Sequence, residues 1–159
     1  MSSIEYIAPA FVEMAHRIVW CTVATVDQEG RARSRVLHPI WEFADGTLTG
    51  WIATSPLSPK RGHLDANPTV SLTYWDPTHD TCTADCDVVW RLDAESKQAA
   101  WDRFAQAPEP VGYDPSMIPG WDAPSSEGFG VLELTPRALR VMPASVMMAG
   151  EGELLTWRA

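Results

Sequence analysis

The chain has 159 residues, of which 45% are hydrophobic and 21% charged, and this composition suits one globular domain over residues 1–159 with a substantial core. A formal charge of −9 excludes nonspecific binding to nucleic acid and to anionic membrane surfaces, and no apolar run approaches the length that crosses a bilayer. Residues 1–5 lack the basic-then-apolar layout of a secretory signal, so the expected location is the cytoplasm. The three cysteines, Cys21, Cys82 and Cys86, have no disulfide-framework spacing and are expected to be reduced. His79, Cys82 and Cys86 fit no strong zinc pattern and lack a fourth ligand, so no metal site is expected.

Residues 8–17 read as a short helix, with Pro9 near its start and Phe11, Met14, Ala15 and Ile18 recurring at helical spacing. Residues 18–26 are β-branched and apolar, which suits a buried strand. Asp27-Gln28-Glu29-Gly30 reads as a hairpin turn. The returning strand, residues 31–43, is interrupted by Pro39, which marks an edge, a bulge or a bend. Its alternation places Arg31, Arg33 and Arg35 on one face, and Ala32, Ser34 and Val36 on the other. Three arginines on one face repel one another unless solvent or an anion separates them.

A second tight turn at Ala44-Asp45-Gly46 leads into a third strand, residues 47–54. The stretch from Leu57 to Pro68 follows. Ser58 suits a helix N-cap and Pro59 the first helical position. Lys60 and Arg61 then fall in the first turn, where the helix end is already electropositive. Free backbone N–H groups beside two such cations suit an anion, best a phosphate. Asn67-Pro68 ends this helix. Arg31, Arg33, Arg35, Lys60 and Arg61 make up five of the twelve cationic residues of an acidic chain.

A fourth strand is expected at residues 69–75, a polar loop at 76–81 and a fifth strand at 84–92. Asp93 can cap a second helix at 94–105. The Pro- and Gly-rich stretch 108–128, with Tyr113, Met117, Ile118 and Trp121, is long for a loop and aromatic enough to be ordered. Residues 129–134 and 138–142 read as a closing pair of strands bent at Pro136, with a last short strand at 154–157. Short strands in hairpin order with few helices point to a small antiparallel barrel. Eight tryptophans suit a dimer interface or a flat aromatic ligand.

Taken in order, Val23-Ala24-Thr25-Val26, the turn ending at Gly30, Arg33-Ser34-Arg35-Val36, Thr54, Ser58-Pro59-Lys60-Arg61 and Leu64-Asp65-Ala66-Asn67-Pro68-Thr69-Val70-Ser71-Leu72 resemble a known pattern. It is that of the pyridoxamine 5′-phosphate oxidase-like FMN-binding split β-barrels, a superfamily that includes deazaflavin F420-dependent reductases. Residues 129–141 resemble its closing hairpin. The resemblance implies a mainly β fold, a split barrel of six to seven antiparallel strands. It also implies a homodimer with cofactor sites at the subunit interface. Arg33 and Lys60 would bind the cofactor phosphate, with Ser58 and Arg61 adding contacts. Ser34, Arg35 and Val36 would lie along the ring, and Ala53 and Thr54 would flank the ring and ribityl chain.

Several positions depart from the oxidase itself. Pro59 stands where a second basic residue is common, His38 where a lysine stands, and Trp90 where a glycine is usual. Cys82 falls near a glutamine position, and the arginine- and histidine-rich C-terminal substrate segment is missing. Pyridoxamine phosphate oxidation is therefore not expected. The resemblance implies an oxidoreductase with FMN, or alternatively F420, that transfers hydride to a small organic substrate. Trp51, Trp75 or the 108–128 stretch would wall that substrate, and His38 is a candidate proton source. No residue is assigned as catalytic. The alternative is a non-catalytic flavin-binding protein acting in cofactor storage or stress response.

Overall fold

The computed structural model describes residues 1–159. Helix α1 spans Ile4–Ile18 and begins earlier than its apolar spacing predicts, so Pro9 lies inside it. Two strands then form the first hairpin, β1 (Cys21–Val26) and β2 (Ala32–Leu37), in the register Thr22 to Val36 and Thr25 to Arg33. The long returning strand expected at 31–43 is in fact two strands. β2 stops at Leu37, and β3 (Pro39–Ala44) pairs instead with β4 (Thr47–Thr54). Pro39 has no N–H to extend the first ladder, and His38 is the hinge between the two partners.

Helix α2 (Lys60–Ala66) precedes β5 (Thr69–Trp75) and β6 (Thr81–Arg91), which pair with each other. Helix α3 (Ala94–Gln106) starts at Asp93, whose side chain accepts from the Ser96 N–H at 2.8 Å. Residues 108–128 cross the surface with one 3-10 turn at Pro115–Met117.

The closing pair expected around Pro136 is a single strand, β7 (Gly130–Met142). Its register against β6 shifts between Asp85 and Cys86, whose partners are Ala138 and Pro136, so the proline falls at a bulge. One end of β7 pairs with β4, and the other with β8 (Leu155–Arg158). Between β7 and β8 lies helix α4 (Ala144–Ala149), which the sequence pattern did not suggest.

The eight strands form one antiparallel sheet in the order β2-β1-β5-β6-β7-β4-β3, with β8 added beside β7. Eight strands is one more than the upper count the resemblance implies, and it equals the number read along the chain, because 31–43 divides into two strands while 129–134 and 138–142 merge into one. β2 and β3 are the unpaired ends, so the barrel is split between them. Inward residues of β1 and β3–β8 converge with α1 on a core of 23 buried residues. Phe11 of α1 meets Trp41 and Tyr74 edge-on, at 5.0 and 6.2 Å between ring centres.

Candidate functional site

The first hairpin and α2 are joined at three places. The Thr25 hydroxyl lies 3.0 Å from Nδ1 of His63. The Asn67 amide donates to the carbonyls of Val26 and Asp27, at 3.4 and 3.5 Å. Gln28 at the hairpin tip approaches the open side of Gly62. A glycine in mid-helix exposes backbone and leaves room for a close approach.

Between these two elements lies an open polar cleft of about 580 Å³, lined by Asp27, Gln28, Glu29, Arg33, Ser34, Arg35, Pro59, Gly62 and His63. Arg35 is half-buried, and its Nη1 donates to the carbonyls of Val23 at 3.0 Å and Arg33 at 3.3 Å. Burial lowers its pKa. The pKa of Lys60 is also lowered, first by burial and then by the charge of Arg35. Two like charges held together and partly out of water leave an unmet demand for an anion.

Arg33 extends along the same face, and its Nε donates to Oδ2 of Asp27 at 2.9 Å. Ser58 does not cap α2 with its side chain. Its hydroxyl donates to the Ser55 carbonyl at 2.8 Å and accepts from the Lys60 ammonium, which steadies Lys60. Arg61 is turned elsewhere: its Nε meets both carboxylate oxygens of Asp65 at 3.0 and 3.1 Å, and its guanidinium lies 5.4 Å above the Trp90 ring. The structure thus brings Arg33, Ser34 and Arg35 together in the cleft, places Lys60 behind its Pro59 edge, close enough to feel the charge of Arg35, and turns Arg61 away.

Farther along, β2 borders a second cavity of about 370 Å³. Val36, Leu37 and His38 line it with Val19, Trp20, Ala53, Pro110, Tyr113, Met117, Ile118 and Trp121. The 108–128 stretch therefore forms one wall of the cavity at the end of β2. Thr54, next to Ala53, is buried. Burial lowers the pKa of His38 and raises that of Tyr113 to about 12, so the phenol keeps its proton at neutral pH. The His38 Nε2 is itself buried and has no hydrogen-bond partner, so it is shielded from anything entering the cavity.

The two tryptophans expected as walls stand elsewhere. Arg103 covers the face of Trp51, with its guanidinium carbon 3.6 Å from the ring centre. Trp75 is exposed at the end of β5 beside His79, 5.9 Å between ring centres. Trp20 and Asp27 do border the cavities and were not singled out from the sequence. The turn Asp27-x-Glu29-Gly30 carries an aspartate at its first position, which is the residue that bonds its own turn backbone, and this signal could have identified Asp27.

A single edge strand thus runs from a polar cleft, where Arg33 and Arg35 stand beside Asp27 and Glu29, into an apolar cavity. Arg33 and Val36 are three residues apart, about 10 Å along a strand. This arrangement suits a ligand with a flat apolar ring at one end and an anionic group at the other.

A family model described as pyridoxamine 5′-phosphate oxidase matches residues 7–142. No curated protein matches the chain. Among solved structures, it resembles a Clostridium acetobutylicum protein related to general stress protein 26 of B. subtilis, with a TM-score of 0.70 at 13% identity, over 99% of this chain and 96% of that one. A pyridoxamine 5′-phosphate oxidase-related, FMN-binding protein from Nostoc punctiforme superposes with a TM-score of 0.64 at 14% identity, over 100% and 97%. An F420 reductase does so with a TM-score of 0.56 at 17% identity, over 81% and 94%. At such identities the structural likeness speaks for the fold.

Proposed function

We propose, from the premise that the chain belongs to the pyridoxamine 5′-phosphate oxidase family of FMN-binding split barrels, that it is an FMN-dependent oxidoreductase acting on a small, uncharged organic substrate. The observation that carries this reading is the course of β2. The strand presents Arg33, Ser34 and Arg35 to a polar cleft and Val36 and Leu37 to an apolar cavity.

The residues fit the cofactor at both ends. Lys60 and Arg33 would hold the phosphate, and Arg35 would add positive potential beside them. Val36 and Ala53 would lie along the ring, with the 108–128 stretch supplying one wall of its cavity. When bound, FMN supplies the hydride chemistry, while the protein supplies position and electrostatics. No cation lines the apolar cavity, which favours an uncharged substrate.

FMN is favoured over F420 by the fate of the arginines. F420 carries an acidic tail and needs further cations beyond the phosphate. Arg61 is committed to Asp65 and Trp90, and the rim of the cleft carries Glu29. Of the cations considered for such a tail, Arg31 alone is uncommitted.

A homodimer completes the site in this reading. Trp20, Val36 and Trp75 stand exposed on the outer face of the sheet, where Thr22 faces both Val36 and Thr73. Such an apolar row suits contact with a second copy. The cytoplasm is the matching compartment, since all three thiols are free and buried.

The deciding experiment is the absorption spectrum and mass of any co-purifying chromophore, followed by titration with FMN and F420. Binding of FMN more tightly than micromolar, and more tightly than F420, is expected. If neither binds that tightly, the reading fails. Bound FMN that no NAD(P)H-driven system turns over would instead support a storage or stress-response role.

A further inference from the structure

We propose that Asp27 is a positioning residue for the cofactor phosphate: it holds Arg33 by Nε and leaves both terminal nitrogens of that guanidinium free for the oxyanion. This rests on the FMN reading above and deepens it by assigning a role to a residue of opposite charge in the same cleft.

A carboxylate lining an anion site repels its ligand unless something neutralises and restrains it. Both oxygens of Asp27 are engaged. Oδ1 accepts from the N–H groups of Glu29 at 3.0 Å and Arg31 at 2.8 Å, and Oδ2 accepts from Arg33 Nε at 2.9 Å. The Asp27 side chain is only 6% exposed, against 50% for Arg33. The Arg31 and Glu29 amides and the Arg33 guanidinium together hold the carboxyl below the usual aspartate range, with the Arg31 bond first, so it stays ionised at neutral pH.

The aspartate is thus locked by the turn to which it belongs. It passes that rigidity to an arginine six residues on, whose long side chain would otherwise have to be ordered when a ligand binds. The Arg33 side chain is bonded within the protein through Nε alone. Its two Nη groups keep the planar fork that recognises phosphate through two parallel bonds. The neighbouring strand residue contributes to the same frame, because Arg35 Nη1 donates to the Arg33 carbonyl at 3.3 Å.

Asp27→Asn tests this. The Asn oxygen can still accept from Glu29 and Arg31, but its amide then opposes Arg33 Nε donor to donor and releases the arginine. The full chain, its Asp27→Asn and Arg33→Ala variants and the double variant are titrated with FMN and with riboflavin, which lacks the phosphate. Asp27→Asn should weaken FMN binding about tenfold or more and leave riboflavin binding unchanged. Arg33→Ala should weaken FMN binding less in the Asp27→Asn background than in the wild type. Equal losses for FMN and riboflavin would make Asp27 a turn residue only, and unchanged FMN affinity or additive losses would likewise overturn the proposal.

A second measurement needs no variant. The Arg33 Nε–H should exchange slowly with solvent in the free wild type, and the Nη protons should slow only when FMN is added. A freely exchanging Nε–H overturns the tether. A wild type that fails to bind FMN more tightly than micromolar defeats the FMN reading and this inference with it, whereas failure of the tether with FMN tightly bound defeats the inference alone.

Discussion

The hydroxyl of Thr25 lies 3.0 Å from Nδ1 of His63, and this contact fastens strand β1 to helix α2. Thr25 is 3% exposed, so the hydroxyl has little recourse to water. With the two Asn67 bonds, this bond sets the distance between the hairpin that carries Arg33 and the helix that carries Lys60.

Thr25→Val keeps the shape of the side chain and removes the hydroxyl. It leaves the His63 nitrogen without its partner and should lower unfolding free energy by about 1–3 kcal/mol. Urea denaturation reads that loss. FMN affinity should fall as well, because α2 is then held against the hairpin by Asn67 alone among its side-chain bonds. A variant that retains both would show the bond to be incidental.

Lys60→Ala removes the half-buried ammonium that Ser58 steadies. FMN affinity should drop by about 1.5–3 kcal/mol, the range for a charged hydrogen bond. Riboflavin affinity should stay where it was. Fluorescence titration of both flavins makes the comparison, and an unchanged FMN affinity would remove Lys60 from the phosphate site.

Gly50 in β4 faces the indole of Trp41. A Cβ built there would lie 2.6 and 2.7 Å from Cζ3 and Cε3 of that ring. Trp41 cannot readily yield, since it is buried and its Nε1 donates to the Tyr74 hydroxyl at 2.9 Å. Gly50→Ala should therefore destabilise by about 1–3 kcal/mol through overpacking. A thermal melt gives the value, and an unchanged midpoint would mean that the core adapts.

The backbone N–H of Trp41 donates to Nε2 of His16 at 2.9 Å, and only the neutral imidazole has a lone pair there to accept it. Burial, and then the nearby His38, lowers the His16 pKa from its ordinary value of 6.5. The folded state thus binds fewer protons than the unfolded state in mildly acid solution. This contribution to stability is complete above about pH 6.5 and is lost as pH falls towards the folded pKa. Urea midpoints at pH 7 and pH 5 should show the decline, and His16→Gln should reduce it. His38 is shifted in the same direction by burial, so part of the slope should survive that substitution. An undiminished slope in the variant would exclude His16 as a contributor.

Local pattern was enough where one face of an element is buried and its ends carry turn residues. β4 and β5 fall at the residues their alternation predicts, because apolar side chains every second position leave one workable register. Asp93 caps α3 as its position suggests. Pattern misled where a strand changes partners. Residues 31–43 read as one strand because every residue is extended, but β2 pairs with β1 and β3 with β4. Pro136 read as a corner, and it lies within β7 because a register shift against β6 absorbs it.

The site divides along the same line. The positions of Arg33, Arg35, Lys60 and Arg61, their alternation along a strand and the phosphate-like demand at α2 were all present in the order of residues, and so was the family resemblance that the match over residues 7–142 bears out. Which cations remain available was not. Arg61 was expected to add a phosphate contact, and its pairing with Asp65 four residues on, which occupies it, went unread. Arg33 is half engaged by Asp27, and Arg35 is bent back onto the Val23 carbonyl. The stretch 108–128 gives no helical or strand period, yet it supplies five of the residues that line the apolar cavity. Periodicity records the short-range geometry of one chain segment. Charge pairing and cavity shape depend on distances between segments, and those exist only once the sheet has folded.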